Sequence, residues 1–172
     1  MEKNHIDYIR TLISRNVGVL NKLRYSFPPS ILQLLYSTLI LPHLNYGILA
    51  WGNAAACYLE KVLLLQKKAV RIINNVDYLA HTNVIFLEKC ILKVSDLYSY
   101  NLCQFMYSVN NGKAPTILQT MFNRNNRYHN HSTRQSSLFH LPLFRSLSAQ
   151  RTFLFTGPKS WNSLEKSLRE SA

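Results

Sequence analysis

The stretch ILQLLYSTLILPHLNYGILAW, residues 31–51, decides how the chain is read. It lies in a run with no charge between Arg24 and Glu60, and it has the length of ~20 predominantly apolar residues that a membrane-crossing helix needs. It also carries Gln33, Ser37, Thr38, His43 and Asn45, and such groups are costly in hydrocarbon without partners. The polar insertions favour a helix buried within protein and broken or kinked at Pro42 over a membrane span. A protein anchored in a membrane by residues 31–51 is the alternative. In the buried reading, Gly47 is a point of close packing, and His43 and Asn45 find partners inside a helical core.

Working outward, Ile6, Ile9, Ile13, Val17, Leu20 and Leu23 recur every three or four positions, with Lys3, Arg10, Arg15, Lys22 and Arg24 mostly off that stripe. This pattern predicts an amphipathic helix with a basic outer face. Pro28 and Pro29 end it and suit the first turn of the next helix, from about Ser30, where a missing amide hydrogen costs nothing. Beyond a turn at Gly52–Asn53, YLEKVLLLQKKAVRIIN (58–74) predicts a helix with Tyr58, Val62, Leu65, Ala69 and Ile72 on one face and Lys61, Lys67, Lys68 and Arg71 elsewhere.

Thr82 is placed to cap a short helix to about Cys90, and Ser95 with Asp96 a longer one to about Val109, ended by Asn110, Asn111 and Gly112. Pro115 opens a short helix to Phe122. From Asn123 to Thr156 the periodicity disappears into Asn, Ser, Arg and His with scattered aromatics, which reads as loop or extended chain with at most short strands. Gly157 and Pro158 punctuate before a last helix, KSWNSLEKSLRE, striped by Trp161, Leu164 and Leu168.

The expected fold is therefore mainly α: an irregular helical bundle of about five to seven helices, with a long basic loop or extended segment before a C-terminal helix. The expected organisation is a helical domain over 1–122, the basic segment over 123–157, and a C-terminal helix over 158–172 packing on the domain. Nothing alternates in the βαβ manner of a doubly wound nucleotide-binding fold.

Of the 172 residues, 47% are hydrophobic and 16% charged, the balance of a chain that packs a core. Twenty Lys and Arg against eight Asp and Glu give a formal charge of +12, which favours a polyanionic partner. No acidic residue occurs between Asp96 and Glu165, so the basic residues of that segment have no local neutralisation. Cys57, Cys90 and Cys103 show no CxxC spacing, which points away from a zinc motif or disulfide framework and towards a reducing compartment. The N-terminus lacks the basic and apolar regions of a signal peptide, and the expected location is intracellular, cytoplasmic or nuclear.

Asp7, Asp77 and Asp96 are isolated from one another, so no local carboxylate cluster offers a two-metal site. GxSxG is absent. His129 and His131 form an HxH pair without a third ligand at a recognisable spacing, and the bland reading is a solvated or phosphate-contacting loop. Phe122, Arg124, Arg127, Tyr128 and Arg134 interleave phosphate donors with rings able to stack on bases, although a basic loop solvating the surface has the same composition. Lys67, Lys68 and Arg71 form a second candidate face, weighed against the ordinary wet side of a helix.

LYSTLILPHLNYGILAWGN, then LQKKAVRII, HTNVIFLEKCILKVSDLY, HNHSTRQ and GPKSWNSL, in that order, resemble the region C-terminal to the catalytic palm in reverse transcriptases of non-LTR, LINE-like retrotransposons, particularly the jockey-like elements. The similarity covers residues 5–168, and PHLNYGILAWG followed by LQKKAVRII is its specific pair. The resemblance implies a helical thumb-like region and C-terminal portion, whose partners are an RNA or DNA template-primer and a palm bearing paired aspartates and two magnesium ions. That double-aspartate signature is absent from this sequence, so no cofactor is expected within it, and a truncated or relic copy is the corresponding expectation. Where the family commonly places a Pro after the HT pair, this chain has Asn83.

The function expected from the resemblance is non-specific binding of template-primer. Phosphate contacts from Lys67, Lys68, Arg71, Arg124, Arg127 and Arg134 would carry it, with Tyr128 or Phe122 stacking.

Overall fold

The computed structural model describes residues 2–128 and 135–170. These residues form an irregular helical bundle: α1 (Glu2–Leu23), α2 (Pro29–Leu39), α3 (Leu41–Asn45), α4 (Ile48–Trp51), α5 (Ala56–Ile73), α6 (Asn83–Glu88), α7 (Val94–Asn110), α8 (Thr116–Thr120), a 3₁₀ turn (Asn125–Arg127), α9 (Leu147–Gln150), α10 (Phe153–Ser163) and α11 (Lys166–Glu170). The long members are α1, α2, α5, α7 and α10. The others are one or two turns set between breakers. Among the described residues the only β pairing is a single antiparallel bridge between Arg124 and Phe139. The chain packs as two compact units, Met1–Tyr98 and Ser99–Ala172.

In the first unit, α1 buries Ile6, Ile9, Ile13, Val17 and Leu20, the stripe its periodicity predicts, and it packs along α5. Removing each such side chain from water contributes roughly 1.5–3 kcal/mol. On α5 the buried face is Val62, Gln66, Ala69, Val70, Ile72 and Ile73, with Tyr58 and Leu65 half-buried. Val62, Ala69 and Ile72 are thus buried as predicted, the face extends to Val70 and Ile73, and a glutamine takes the central position.

Residues 31–51 do not form one helix. α2 ends at Ile40 because Pro42, in the first turn of α3, has no amide hydrogen with which to continue the ladder. α3 in turn ends at Tyr46 in extended conformation, and Gly47 follows at φ +60° before α4. No helix of the described residues is long and apolar enough to cross a membrane.

The expected packing role of Gly47 is overturned, since a Cβ there would meet nothing within 4 Å. What Gly47 supplies is the left-handed backbone. The close approach lies at Gly52 instead, where a Cβ would sit 2.6 Å from the Ile48 carbonyl oxygen and 2.7 Å from Tyr98 Cδ2. Asn45 is exposed and His43 half-buried, so neither is a core residue as expected. The buried residues of this stretch are Leu32, Tyr36, Ile40, Leu44, Ile48 and Trp51, and the Trp51 indole N–H donates to the Tyr46 carbonyl at 2.9 Å. Thr82 precedes α6 as expected, but its side chain makes no cap bond.

The core of the second unit is Met106, Val109, Ala114, Phe122, Phe139 and Trp161, flanked by Phe105, Phe153, Leu154 and Leu164. The rings meet edge to face, Phe105 with Phe122 at 5.8 Å and with Phe153 at 5.7 Å between centroids, the arrangement their quadrupoles favour. This core draws Phe122, the last residue of the predicted helical domain, together with Phe139 and Trp161 from the two segments predicted to follow. Asn162 clamps the Phe139 backbone, accepting from its N–H at 3.2 Å and donating to its carbonyl at 2.8 Å.

Gly157 and Pro158 do not punctuate. α10 runs through both from Phe153 to Ser163, because burial of Gly157, Pro158 and Trp161 on one face outweighs the hydrogen bond that proline forgoes. The predicted continuous C-terminal helix instead breaks at Leu164, whose ψ is 150°, and Leu168, expected on its apolar stripe, is exposed.

Candidate nucleic-acid interface

α1 and α5 each carry a polar stripe beside the buried one, and their packing brings the two stripes together. Thr11, Ser14 and the cations Arg10 and Arg15 from α1 face Lys61, Leu64, Leu65, Lys68 and Arg71 from α5. Tyr78, from the turn after α5, completes a groove of about 590 Å³. Spacings of three and four residues along each helix put these side chains on one face, and no carboxylate lines the groove.

Two of the cations have partners within the unit. Arg71 Nε donates to the Ala80 carbonyl at 2.9 Å, and its guanidinium lies 5.7 Å from the Tyr78 ring centroid. This bond uses one of five guanidinium N–H donors. Arg10 pairs with Asp7 at 3.1 Å on the surface, a weak interaction in solvent. The arrangement offers five cations lined with hydroxyls and one aromatic ring, the elements from which phosphate contacts are made.

Of the candidate residues from the sequence, Lys68 and Arg71 line this groove, whereas Lys67 does not. Position 67 points about a quarter turn away from 68 on a helix. Arg10, Arg15 and Lys61 were legible as basic residues off the apolar stripes. What joins them to Lys68 is the pairing of α1 with α5.

The other candidates are in the second unit and are engaged within it. The Arg124 Nη1 donates to the Ser137 carbonyl, its Nη2 to Asn110 Oδ1 at 3.0 Å, and its guanidinium covers the Phe139 ring at 5.0 Å. These contacts make it a strut that joins Asn110, Ser137 and Phe139. Arg127 donates to Asn123 Oδ1 at 2.8 Å. Tyr128 is half-exposed and stacks on His140 at 4.1 Å between centroids, while Asn123 donates to its hydroxyl at 3.2 Å. Phe122, considered for stacking, is 8% exposed and packs in the core of the second unit. Arg134, with His129 and His131, lies outside the described residues.

Among the described residues, no three of His, Cys, Asp and Glu gather where they could hold a metal ion. Cys57, Cys90 and Cys103 are free thiols, and burial pushes the Cys103 thiol above its ordinary range, which disfavours the nucleophilic thiolate.

No family model, curated protein or solved structure matches the chain.

Proposed function

We propose that the chain binds nucleic acid without sequence preference, through phosphate contacts in the α1–α5 groove. The observation that carries this reading is the convergence of Arg10, Arg15, Lys61, Lys68 and Arg71 on one carboxylate-free groove. A +12 chain attracts polyanions over its whole surface, but a lined groove gives a strand a defined track. Ser14 adds a hydroxyl donor, and Tyr78 offers a ring against which a base can stack.

This reading accords with the sequence resemblance to the thumb and C-terminal region of non-LTR reverse transcriptases, in which such a region grips template and primer. That resemblance assigns nucleotide addition, with its magnesium ions, to a palm whose paired aspartates are absent from this sequence. The proposed role is therefore binding rather than catalysis.

Release of condensed counterions gives the test. With about four phosphates contacted, the log of the affinity falls against the log of salt concentration with a slope of roughly −3 to −4. Fluorescence anisotropy of a labelled RNA or DNA oligonucleotide, titrated from about 50 to 200 mM salt, reads that slope. Binding that does not respond to salt, or no binding at low salt, overturns the proposal.

A further inference from the structure

The second unit holds a cavity of its own, about 600 Å³, in which Asn110 from the end of α7, Arg124 and Ser137 from the bridged loop, Trp161 from α10, and Lys166 and Arg169 from α11 converge. Three of these residues are cations and no carboxylate is among the lining residues.

Two observations separate this cavity from an ordinary wet surface. Arg124 is fixed before any ligand arrives, by its bonds to Ser137 and Asn110 and by the Phe139 ring beneath it. Arg169 Nε is shielded from solvent and has no hydrogen-bond partner among the described residues. A buried guanidinium N–H without an acceptor is unfavourable, and an oxyanion in the cavity supplies that acceptor with a charge-assisted bond.

We infer that this cavity is a binding site for a phosphomonoester, held by Arg124, Lys166 and Arg169 and independent of the α1–α5 groove. Three cations match a dianionic phosphate better than a single carboxylate, and arginine forks suit its tetrahedral oxygens. The volume falls in the range of small-molecule pockets and exceeds what phosphate alone fills, so the organic part of the ester lies against Trp161. A free nucleotide or sugar phosphate and the terminal phosphate of an oligonucleotide present the same chemistry.

The test is calorimetric titration of the full chain with adenosine 5′-monophosphate, with adenosine as the uncharged control. The expected result is saturable one-to-one binding of the monophosphate and none of adenosine, with affinity reduced about tenfold or more in Arg169→Gln and in Lys166→Gln. Circular dichroism checks that both variants retain their helices, and Lys68→Gln, in the groove of the first unit, leaves this affinity unchanged.

Competition then distinguishes the sources. Displacement by a 5′-phosphorylated but not a 5′-hydroxyl oligonucleotide supports the site with a terminal phosphate as its ligand. Displacement by neither, with monophosphate binding intact, supports it with a free phosphomonoester. Equal binding of adenosine, equal displacement by both oligonucleotides, unaltered affinity in both α11 variants, or loss of binding in Lys68→Gln overturns the assignment.

Discussion

Gln66 donates to the Tyr36 hydroxyl at 2.8 Å in the interior of the first unit, with both side chains almost fully withdrawn from solvent. The same amide donates to the Leu92 carbonyl at 2.7 Å and accepts from the Val94 N–H at 3.0 Å. One glutamine therefore joins α5 to α2 and to the chain entering α7. Its bonds satisfy a carbonyl and an N–H that the irregular segment before α7 would otherwise leave unpaired.

Replacing Gln66 by Leu keeps the volume and orphans those groups. Each buried group left without a partner costs about 1–3 kcal/mol, so Gln66→Leu should lose about 2–5 kcal/mol of stability in urea denaturation. A loss below about 0.5 kcal/mol, the level of an ordinary surface substitution, would deny the node its role.

Burial pushes the Tyr36 hydroxyl up to about 12, against the smaller opposing effect of its bond to Gln66. A group whose pKa is raised on folding stabilises the native state below its unfolded value near 10 and loses that contribution as pH rises through the folded value. The unfolding free energy should accordingly fall by about 2–3 kcal/mol between pH 10 and 12. The Tyr36→Phe variant should show a shallower decline over the same window. Denaturation at several alkaline pH values in both proteins measures the difference, and parallel profiles would show that other groups govern it.

Gly52 and Gly47 separate steric crowding from backbone strain. A methyl group at Gly52 meets the Ile48 carbonyl oxygen, a backbone atom that cannot swing aside, and overpacking of this kind costs about 1–3 kcal/mol or more. At Gly47 only the left-handed φ opposes a side chain, at about 1–2 kcal/mol. Asn tolerates that conformation, so Gly47→Asn should recover part of what Gly47→Ala loses, whereas Gly52→Asn should be no better than Gly52→Ala. Thermal melting of the four variants decides between these patterns.

In the α1–α5 groove, Lys68→Glu and Arg15→Glu should each weaken oligonucleotide binding and reduce the magnitude of the salt slope by about one. Lys67→Glu changes the net charge identically but does not alter a groove-lining residue, so its effect should be markedly smaller. Equal effects from all three would mean that net charge, and no particular groove, attracts the ligand.

Arg124→Ala removes two hydrogen bonds and the cover over Phe139. The expected consequence is looser pairing of residues 123–125 with 138–140, read as faster amide exchange at Asn125 and His140, whose N–H groups bond to the Leu138 and Asn123 carbonyls. Unchanged exchange at both positions would contradict the strut.

The sequence by itself determined the features that arise from neighbours along the chain. The three- and four-residue spacing of Ile6 to Leu20 set α1 and its buried face, Pro28 and Pro29 divided α1 from α2, and Pro42 ended α2. The excess of basic residues was likewise explicit, and with it the candidacy of Lys68 and Arg71. Tertiary structure decided what depends on which faces meet. Periodicity gives a stripe but not its partner, so it could not show that Arg10 and Arg15 stand opposite Lys61 and Lys68. Nor could it show that Gln66 would be buried, because its acceptors and donor come from residues 36, 92 and 94. The same reason explains why Arg124 is braced by Asn110, Ser137 and Phe139, and why α10 continues through Pro158. A hydrogen bond is lost locally there, and the burial that offsets it comes from side chains distant in sequence.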